Sequence, residues 1–244
     1  LMDRLRAAHP NVEIESCSGG GGRIDFGVLR HSHRVWTSDC IDALARIPIQ
    51  RGFLQFFPPE IMGAHIGTAP AHSTGRSQAM AFRGAVALPG HLGVELDVRK
   101  LDAATKRELQ GWIALHKRWR GLLHTGRVWL GDAGDHVTWQ VHGEAGGRHF
   151  LFLAHRSAPS ALRYMPAARL AMLEPTASYR LKLVAPDGLP ENQLYCGSAP
   201  FFDALRTAEG VVMDGDWLRH AGLPLPRALA ETGVIVHLQK IDAA

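Results

Sequence analysis

Cysteines and long hydrophobic runs are scarce in this sequence. Its 244 residues contain three cysteines, Cys17, Cys40 and Cys196, which are too few and too scattered to form a disulfide framework. Their scarcity predicts a reducing compartment, the cytoplasm. No run of about 18 apolar residues occurs, so we expect no membrane partner. Residues 1–6 precede no apolar segment and form no signal peptide; they are typical of the middle of an amphipathic helix, which predicts a fragment of a longer chain.

An excess of charge of one sign is also missing. Lysine and arginine number 27 against 23 acidic residues, and a net charge of +4 is weak over this length. With 46% hydrophobic and 20% charged residues the composition is globular, which excludes a disordered chain. The densest basic run has helical spacing and predicts a solvated helix face, so we expect no nucleic-acid partner. Its members are Lys106, Arg107, Lys117, Arg118 and Arg120.

Strand and helix patterns alternate over the first fifty residues. A helix end before Pro10 is followed by an alternating strand at residues 12–16 and a loop at residues 18–22. A short helix at 26–30, a strand at 35–38 and a helix at about 42–47 complete the pattern. Residues 51–98 show no clear pattern, and glycines and a proline at 63–75 indicate a long loop there. This order predicts an α/β fold with a parallel sheet, in which residues just past each strand build the active site.

The periodicity changes near residue 125. A helix is predicted from Asp102 to about Leu123, and short alternating strands separated by turns follow Gly126. Such strands are typical of an antiparallel β-sandwich. We therefore predict two domains, residues 1–124 and 125–244. The clearest strands are residues 137–141, 149–153, 178–184 and 234–238.

The loop after the first strand contains the first candidate residues. Gly19 to Gly22 lack the lysine and hydroxyl residues of a phosphate-binding loop, so their backbone N–H groups either form a tight turn or bind sugar hydroxyls. Cys17 is either a nucleophile paired with a distant histidine or a small thiol that lines a pocket; we favour the second.

Four histidines raise the question of a metal site. They are His31, His33, His65 and His72. No cysteine or carboxylate spacing completes a recognised ligand set around them, so we expect no metal.

Two aspartates follow the second strand. A carboxylate behind Trp36 would be partly desolvated, which suits general acid catalysis. Asp39 or Asp42 would equally well cap the helix that follows. Spacing leaves both interpretations open.

The order of several rare motifs resembles the α-galactosidases of glycoside hydrolase family 36. The resemblance extends over nearly the whole chain and ends in the stretch at residues 221–226. The matching stretches, in order, are residues 15–25 (Glu-Ser-Cys-Ser-Gly-Gly-Gly-Gly-Arg-Ile-Asp), 35–43 (Val-Trp-Thr-Ser-Asp-Cys-Ile-Asp-Ala), 49–52, 58–65, 74–76, 83–84 and 93–97.

This resemblance implies a fold and a set of site residues. The chain would hold the last two strands of a (β/α)8 TIM barrel, followed by an antiparallel β-sandwich domain. Asp39 would be the proton donor. Cys17, Gly19, Gly20 and Trp36 would contact the substrate, and Arg23, Asp25 and Asp42 would support the site.

The resemblance also implies a retaining exo-α-galactosidase that acts on melibiose- or raffinose-like oligosaccharides. The nucleophile of the family lies in a Lys-x-Asp-x-Asn segment that does not occur in these 244 residues, so we expect the chain alone to be inactive. No cofactor is needed, and the full-length form is expected to be a homo-oligomer. An α-N-acetylgalactosaminidase, a raffinose-type galactosyl transferase and a non-catalytic sugar-binding fragment stay open as alternatives.

Overall fold

The computed structural model describes residues 1–143, 149–156, 167–185, 200–226 and 229–241. The chain forms two compact units, Leu1–Asp102 and Ala103–Ala244. The change from helix to strand lies at residue 126, where the periodicity placed it. The domain boundary at 124/125 stays a prediction.

The first unit contains a parallel sheet, as the alternation of strands and helices predicted. Its four strands lie in the order β1-β2-β3-β4, which corrects the expectation of two strands. The strands are β1 (Glu15–Ser16), β2 (Arg34–Trp36), β3 (Met62–Gly67) and β4 (His91–Glu95). The helices are α1 (Met2–Ala8), α2 (Phe26–Leu29), α3 (Ala43–Phe53) and α4 (Met80–Ala87), with short 3-10 turns at Pro59–Ile61 and Val98–Lys100.

β1 and α3 differ in their bounds from the sequence expectation. β1 begins at Glu15 instead of residue 12. α3 continues past Ile47 to Phe53, although Pro48 lies inside it, because Ile47, Gln50 and Phe53 continue its buried face. The helix is therefore maintained by packing beyond the point where proline predicts its end.

Residues 51–98, in which the sequence indicated a long loop and no clear elements, contain β3, α4 and β4. Every residue of β3 except His65 is buried, so the strand shows no alternation of polar and apolar residues. α4 is buried over almost its whole length, which likewise removes the amphipathic pattern. Because both elements are buried, their sequences lack the periodic pattern that would distinguish them from a loop.

The second unit is built on antiparallel strands, as predicted. Among its described residues, six strands form one sheet in the order β10-β9-β12-β7-β6-β5, and β8 pairs with β11. The strands are β5 (Arg127–Ala133), β6 (His136–His142), β7 (His149–Arg156), β8 (Ala167–Ala168), β9 (Ser178–Leu183), β10 (Val211–Asp214), β11 (Leu223–Pro224) and β12 (Thr232–Ile241). The helices are α5 (Ala103–Thr125), α6 (Pro200–Arg206) and α7 (Gly215–His220).

One core cluster of the second unit lies against one face of this sheet, and Leu151, Leu153 and Ile235 are buried on the other face. Val234, Val236 and Leu238 alternate along β12 and pack into a cluster that also contains Phe152 and Leu181. The basic residues of α5 are exposed, as their spacing predicted. No helix in the described part of the chain is long and apolar enough to cross a membrane.

The N-terminus of α3 is capped by the buried carboxylate of Asp42. Oδ1 accepts hydrogen bonds from the backbone N–H groups of Leu44 at 2.9 Å and Ala45 at 3.1 Å, and from Gln78 Nε2 at 3.0 Å. Oδ2 accepts from Thr74 Oγ1 at 2.5 Å and Arg76 Nε at 2.6 Å. Burial opposes ionisation, but these donors outweigh it and lower the pKa of Asp42 to about 2.

The Asp42 network predicts a pH-dependent contribution to stability. The pKa falls from 3.8 in the unfolded chain to about 2 in the folded one, which corresponds to about 2 kcal/mol. Because the folded pKa is the lower one, this stability is present above pH ~4 and is lost as the pH falls through about 2. Asp42→Asn should therefore lower the free energy of unfolding in urea by about 2 kcal/mol at pH 7 and by much less near pH 2.

Asp25→Asn is the matched control, because Asp25 caps α2 through one hydrogen bond, from Val28 N at 2.7 Å, and is exposed. It should cost less than Asp42→Asn. Equal losses for Asp42→Asn at pH 7 and pH 2 would contradict the assignment.

Candidate active site

The carboxyl ends of β1 and β2 bring the candidate residues together at one edge of the parallel sheet. Cys17 and the glycine loop follow β1, and Asp39 follows β2 by three residues. Parallel strands direct their carboxyl ends to the same edge, where enzymes of this architecture place their chemistry. Glu15 pairs in register with Arg34 and Ser16 with Val35, which sets the two loops side by side.

Asp39 is an exposed carboxylate with one strong donor, which corrects the expectation that it is partly desolvated. Its Oδ1 accepts the indole N–H of Trp36 at 3.0 Å, and the thiol of Cys17 lies 4.0 Å from the same oxygen. The other oxygen, Oδ2, has no hydrogen-bond partner among the described residues. An accessible carboxylate with one oxygen fixed and one available is suited to gain and release a proton.

The glycine loop passes directly against the turn that holds Asp39. Gly20 has a φ of +70°, and a Cβ added there would lie 2.5 Å from the backbone nitrogen of Asp39. Gly21 has a φ of +99°, and its Cβ would lie 2.5 Å from the carbonyl oxygen of Thr37. Both the left-handed backbone and the close approach require glycine here. The loop therefore fixes the position of the Asp39 backbone.

The ring of Trp36 is buried between charged and aromatic neighbours. It stacks on the imidazole of His65 with 4.0 Å between ring centroids and 21° between planes. The guanidinium of Arg46 lies 4.6 Å from its centroid. Arg46 is buried and donates to the carbonyl oxygens of Ser38 at 3.1 Å and Gly63 at 2.7 Å. Burial lowers its pKa to about 10, so it is charged at neutral pH.

Comparison with known proteins assigns this arrangement to a family. A family model described as Melibiase matches residues 1–126, which is more than half of the chain. The chain belongs to the melibiase family. The resemblance to glycoside hydrolase family 36 is thereby confirmed, and solved structures of that family support it.

Its relatives are α-galactosidases. An α-galactosidase of Escherichia coli is 39% identical over 98% of this chain, and AgaA of Geobacillus stearothermophilus is 35% identical over 93%. The galactosidase domain of the α-galactosidase–sucrose kinase AgaSK superimposes with a TM-score of 0.83 at 29% identity, and AgaA with 0.81 at 30%, each over 98% of this chain. The chain spans about a third of these proteins, 34% of the first and 30% of both structures.

The two aspartates of this melibiase-family chain have different surroundings. Asp42 caps α3 and is fully buried, whereas Asp39 is exposed and does not cap the helix. Asp25 caps α2. Arg23 is exposed, and its carbonyl oxygen accepts the Ser16 hydroxyl at 3.5 Å. The helix-cap interpretation therefore applies to Asp42 and Asp25.

Three of the four histidines considered as metal ligands have separate partners, and His72 is exposed. His31 Nδ1 lies 2.7 Å from Asp3 Oδ1, and His33 Nδ1 accepts the backbone N–H of Ile14 at 2.9 Å. His65 Nδ1 lies 3.0 Å from Glu95 Oε2. Across the described ranges, no three or more histidine, cysteine or acidic side chains are placed to hold a metal together.

The cysteines lie in different environments. Cys17 is an exposed free thiol at the site, and Cys40 is a partly buried free thiol that accepts the Ser73 hydroxyl at 3.3 Å. Cys196 lies outside the described residues.

Sequence reasoning missed two residues that contact Trp36 and a third, Glu95, that contacts one of them. His65 was considered as a metal ligand, and Arg46 and Glu95 were not considered for the site at all. Glu95 lies at the end of β4 and His65 on β3, so their strand positions were the signal that could have found them. That signal was hidden because neither strand was predicted.

Gly20 and Gly19 provide a matched pair of substitutions. The methyl group added by Gly19→Ala would contact no other atom, but the φ of +58° is strained for alanine. The substitution should therefore lower the free energy of unfolding by about 1–2 kcal/mol. Gly20→Ala adds a collision with Asp39 and should cost roughly 1–3 kcal/mol more. Urea unfolding measures both. Equal losses would show that the loop does not press against Asp39.

Proposed function

We propose that the complete protein is a retaining exo-α-galactosidase in which Asp39 is the general acid and base. The observation that carries the proposal is the exposed Asp39 carboxylate at the end of β2, beside Cys17 and the glycine loop. The α-galactosidase relatives support it. Four parallel strands in sequential order also support a fold in which residues 1–124 are part of a (β/α)8 barrel and residues 125–244 an antiparallel β-sandwich domain.

Retention requires two carboxyl groups about 5–5.5 Å apart. In the proposed reaction, a nucleophilic carboxylate from outside these 244 residues attacks the anomeric carbon. Asp39 protonates the departing glycosidic oxygen as the bond to it breaks. Asp39 then takes a proton from water, whose oxygen attacks the galactosyl-enzyme and releases galactose and the nucleophile. Both steps use carboxyl groups and water, so no metal or organic cofactor takes part.

The sugar ring would lie against the loops after β1 and β2. In the proposal Cys17, Gly19 and Gly20 contact the galactose, because open backbone N–H groups and a small thiol leave room for its hydroxyls. Trp36 contributes to the same pocket. Arg23, Asp25 and Asp42 support the loops that carry these residues. The burial and five donors of Asp42 fit a supporting role.

The proposed substrates are galactosyl oligosaccharides of the melibiose and raffinose type. AgaA from Geobacillus stearothermophilus has been solved in complex with raffinose and with stachyose. Comparing the hydrolysis of an aryl α-galactoside with that of its N-acetyl analogue tests which sugar the enzyme accepts. Analysing the products for longer oligosaccharides tests whether the enzyme transfers galactose to another sugar. We also propose that the complete protein is cytoplasmic and forms a homo-oligomer. Cell fractionation checks the localisation, and the native mass checks the oligomeric state.

Asp39→Ala in the complete enzyme should affect substrates according to their leaving groups. General acid help is worth about 10²–10⁴-fold, so raffinose hydrolysis should fall by about that factor. A nitrophenolate departs without a proton, so glycosyl-enzyme formation from nitrophenyl α-galactoside should fall far less. The intermediate should accumulate, and azide should restore turnover of the activated substrate.

Asp216→Ala is the control for this experiment, because Asp216 is an exposed aspartate in the second unit. It should leave both substrates unaffected. If Asp39→Ala lowers the activity on both substrates equally, without azide rescue and with a lower melting temperature, Asp39 has a structural role and the assignment is wrong.

Cys17 gives a second test of the pocket. A thiol reagent should inactivate the complete enzyme by modifying Cys17, and galactose should slow that modification. Mass spectrometry resolves the modified sites, and Cys40 serves as the internal control, because its labelling should not depend on galactose. Equal labelling of Cys17 with and without galactose would contradict its place in the sugar pocket.

A further inference from the structure

A continuous series of contacts joins residues on three adjacent strands to Asp39. Glu95, the last residue of β4, lies 3.0 Å from His65 Nδ1. His65 on β3 stacks on Trp36, the last residue of β2. The indole N–H of Trp36 donates to Asp39 Oδ1 at 3.0 Å. Each contact constrains the orientation of the next side chain.

Two glycines leave room for the rings of Trp36 and His65. A Cβ at Gly63 would lie 3.1 Å from Cε3 of Trp36, and a Cβ at Gly93 would collide with the ring of His65. Arg46, anchored on two carbonyl oxygens, holds its guanidinium 4.6 Å from the indole centroid. The indole therefore has little freedom to rotate away from Asp39.

We propose that Trp36 and His65 are positioning residues for the acid/base carboxylate. His65, oriented by Glu95, holds the indole, and the indole N–H fixes Asp39 Oδ1 so that Oδ2 transfers the proton. The inference rests on the proposed function of Asp39 and assigns different roles to its two carboxylate oxygens. This role differs from one in which Trp36 only stacks against the sugar, because here the indole N–H group, and not the aromatic face, positions Asp39.

Trp36→Phe separates these two roles, since phenylalanine keeps an aromatic face and lacks the donor. In the complete enzyme, kcat for raffinose should fall by about 10–100-fold, as expected for a displaced catalytic group, with KM changed little. Glycosyl-enzyme formation from nitrophenyl α-galactoside should fall by less than about 3-fold. Trp217→Phe, at an exposed tryptophan in the second unit, should change neither substrate.

His65 is tested by rescue and by a double-mutant cycle. His65→Ala removes the stacking partner and should reproduce the Trp36→Phe pattern, whereas His65→Phe keeps a ring and should recover most of the kcat for raffinose. If His65 acts through Trp36, the variant with both His65→Ala and Trp36→Phe should be no slower than the worse single variant. Additive losses that affect both substrates equally would overturn the role of His65.

A crystal structure of the complete Trp36→Phe variant provides a readout that does not depend on activity. The Asp39 carboxylate should leave the position it has beside residue 36. An unmoved carboxylate would overturn the inference, whatever the substrate. If Asp39→Ala shows the leaving-group pattern and Trp36→Phe does not, the inference fails and the proposed function stands. If wild-type enzyme hydrolyses no α-galactoside, the proposed function fails, and the crystal structure still decides whether Trp36 positions Asp39.

Discussion

The buried Asp42 carboxylate fixes the segment on which the candidate site depends. It ties the start of α3 to Thr74, Arg76 and Gln78, a loop more than thirty residues later in the chain. The turn that carries Asp39 ends at this anchor. Because the donors around Asp42 lower its pKa to about 2, the anchor stays ionised at neutral pH. Two aspartates three residues apart thus have different surroundings, one buried among donors and the other exposed.

Much of this arrangement could be predicted from the sequence. The motif order identified the family, and alternating residues predicted β6, β7, β9 and β12 of the second unit. The sequence left open which aspartate caps α3, since both lie at cap positions. In the structure, the start of α3 at Ala43 and the donors from residues 74–78, far along the chain, both distinguish Asp42 from Asp39. The contribution of those distant donors is not contained in local spacing.

Two of the residues that sequence reasoning missed, His65 and Arg46, lie in or against an interior that shows no sequence periodicity. β3 is buried on both faces and α4 on nearly all sides, so neither shows the periodicity that identifies half-exposed elements. Both residues contact the ring of Trp36, and the indole N–H of Trp36 donates to Asp39. Side chains that act through a neighbour leave no motif of their own.

The order of strands also says where a second carboxylate would have to come from in the proposed reaction. Neighbouring strands lie about 4.8 Å apart, so a strand added beside β1 would lie roughly 10 Å from β2, and one beside β4 roughly 14 Å along the sheet. Side chains that converge above the carboxyl ends close the shorter gap to about 5–5.5 Å, the separation that retention needs. β1 would then lie between the two carboxylates. The loop after β1 contains glycines where its backbone passes against the turn that carries Asp39. In the proposed reaction the sugar ring would share that narrow space.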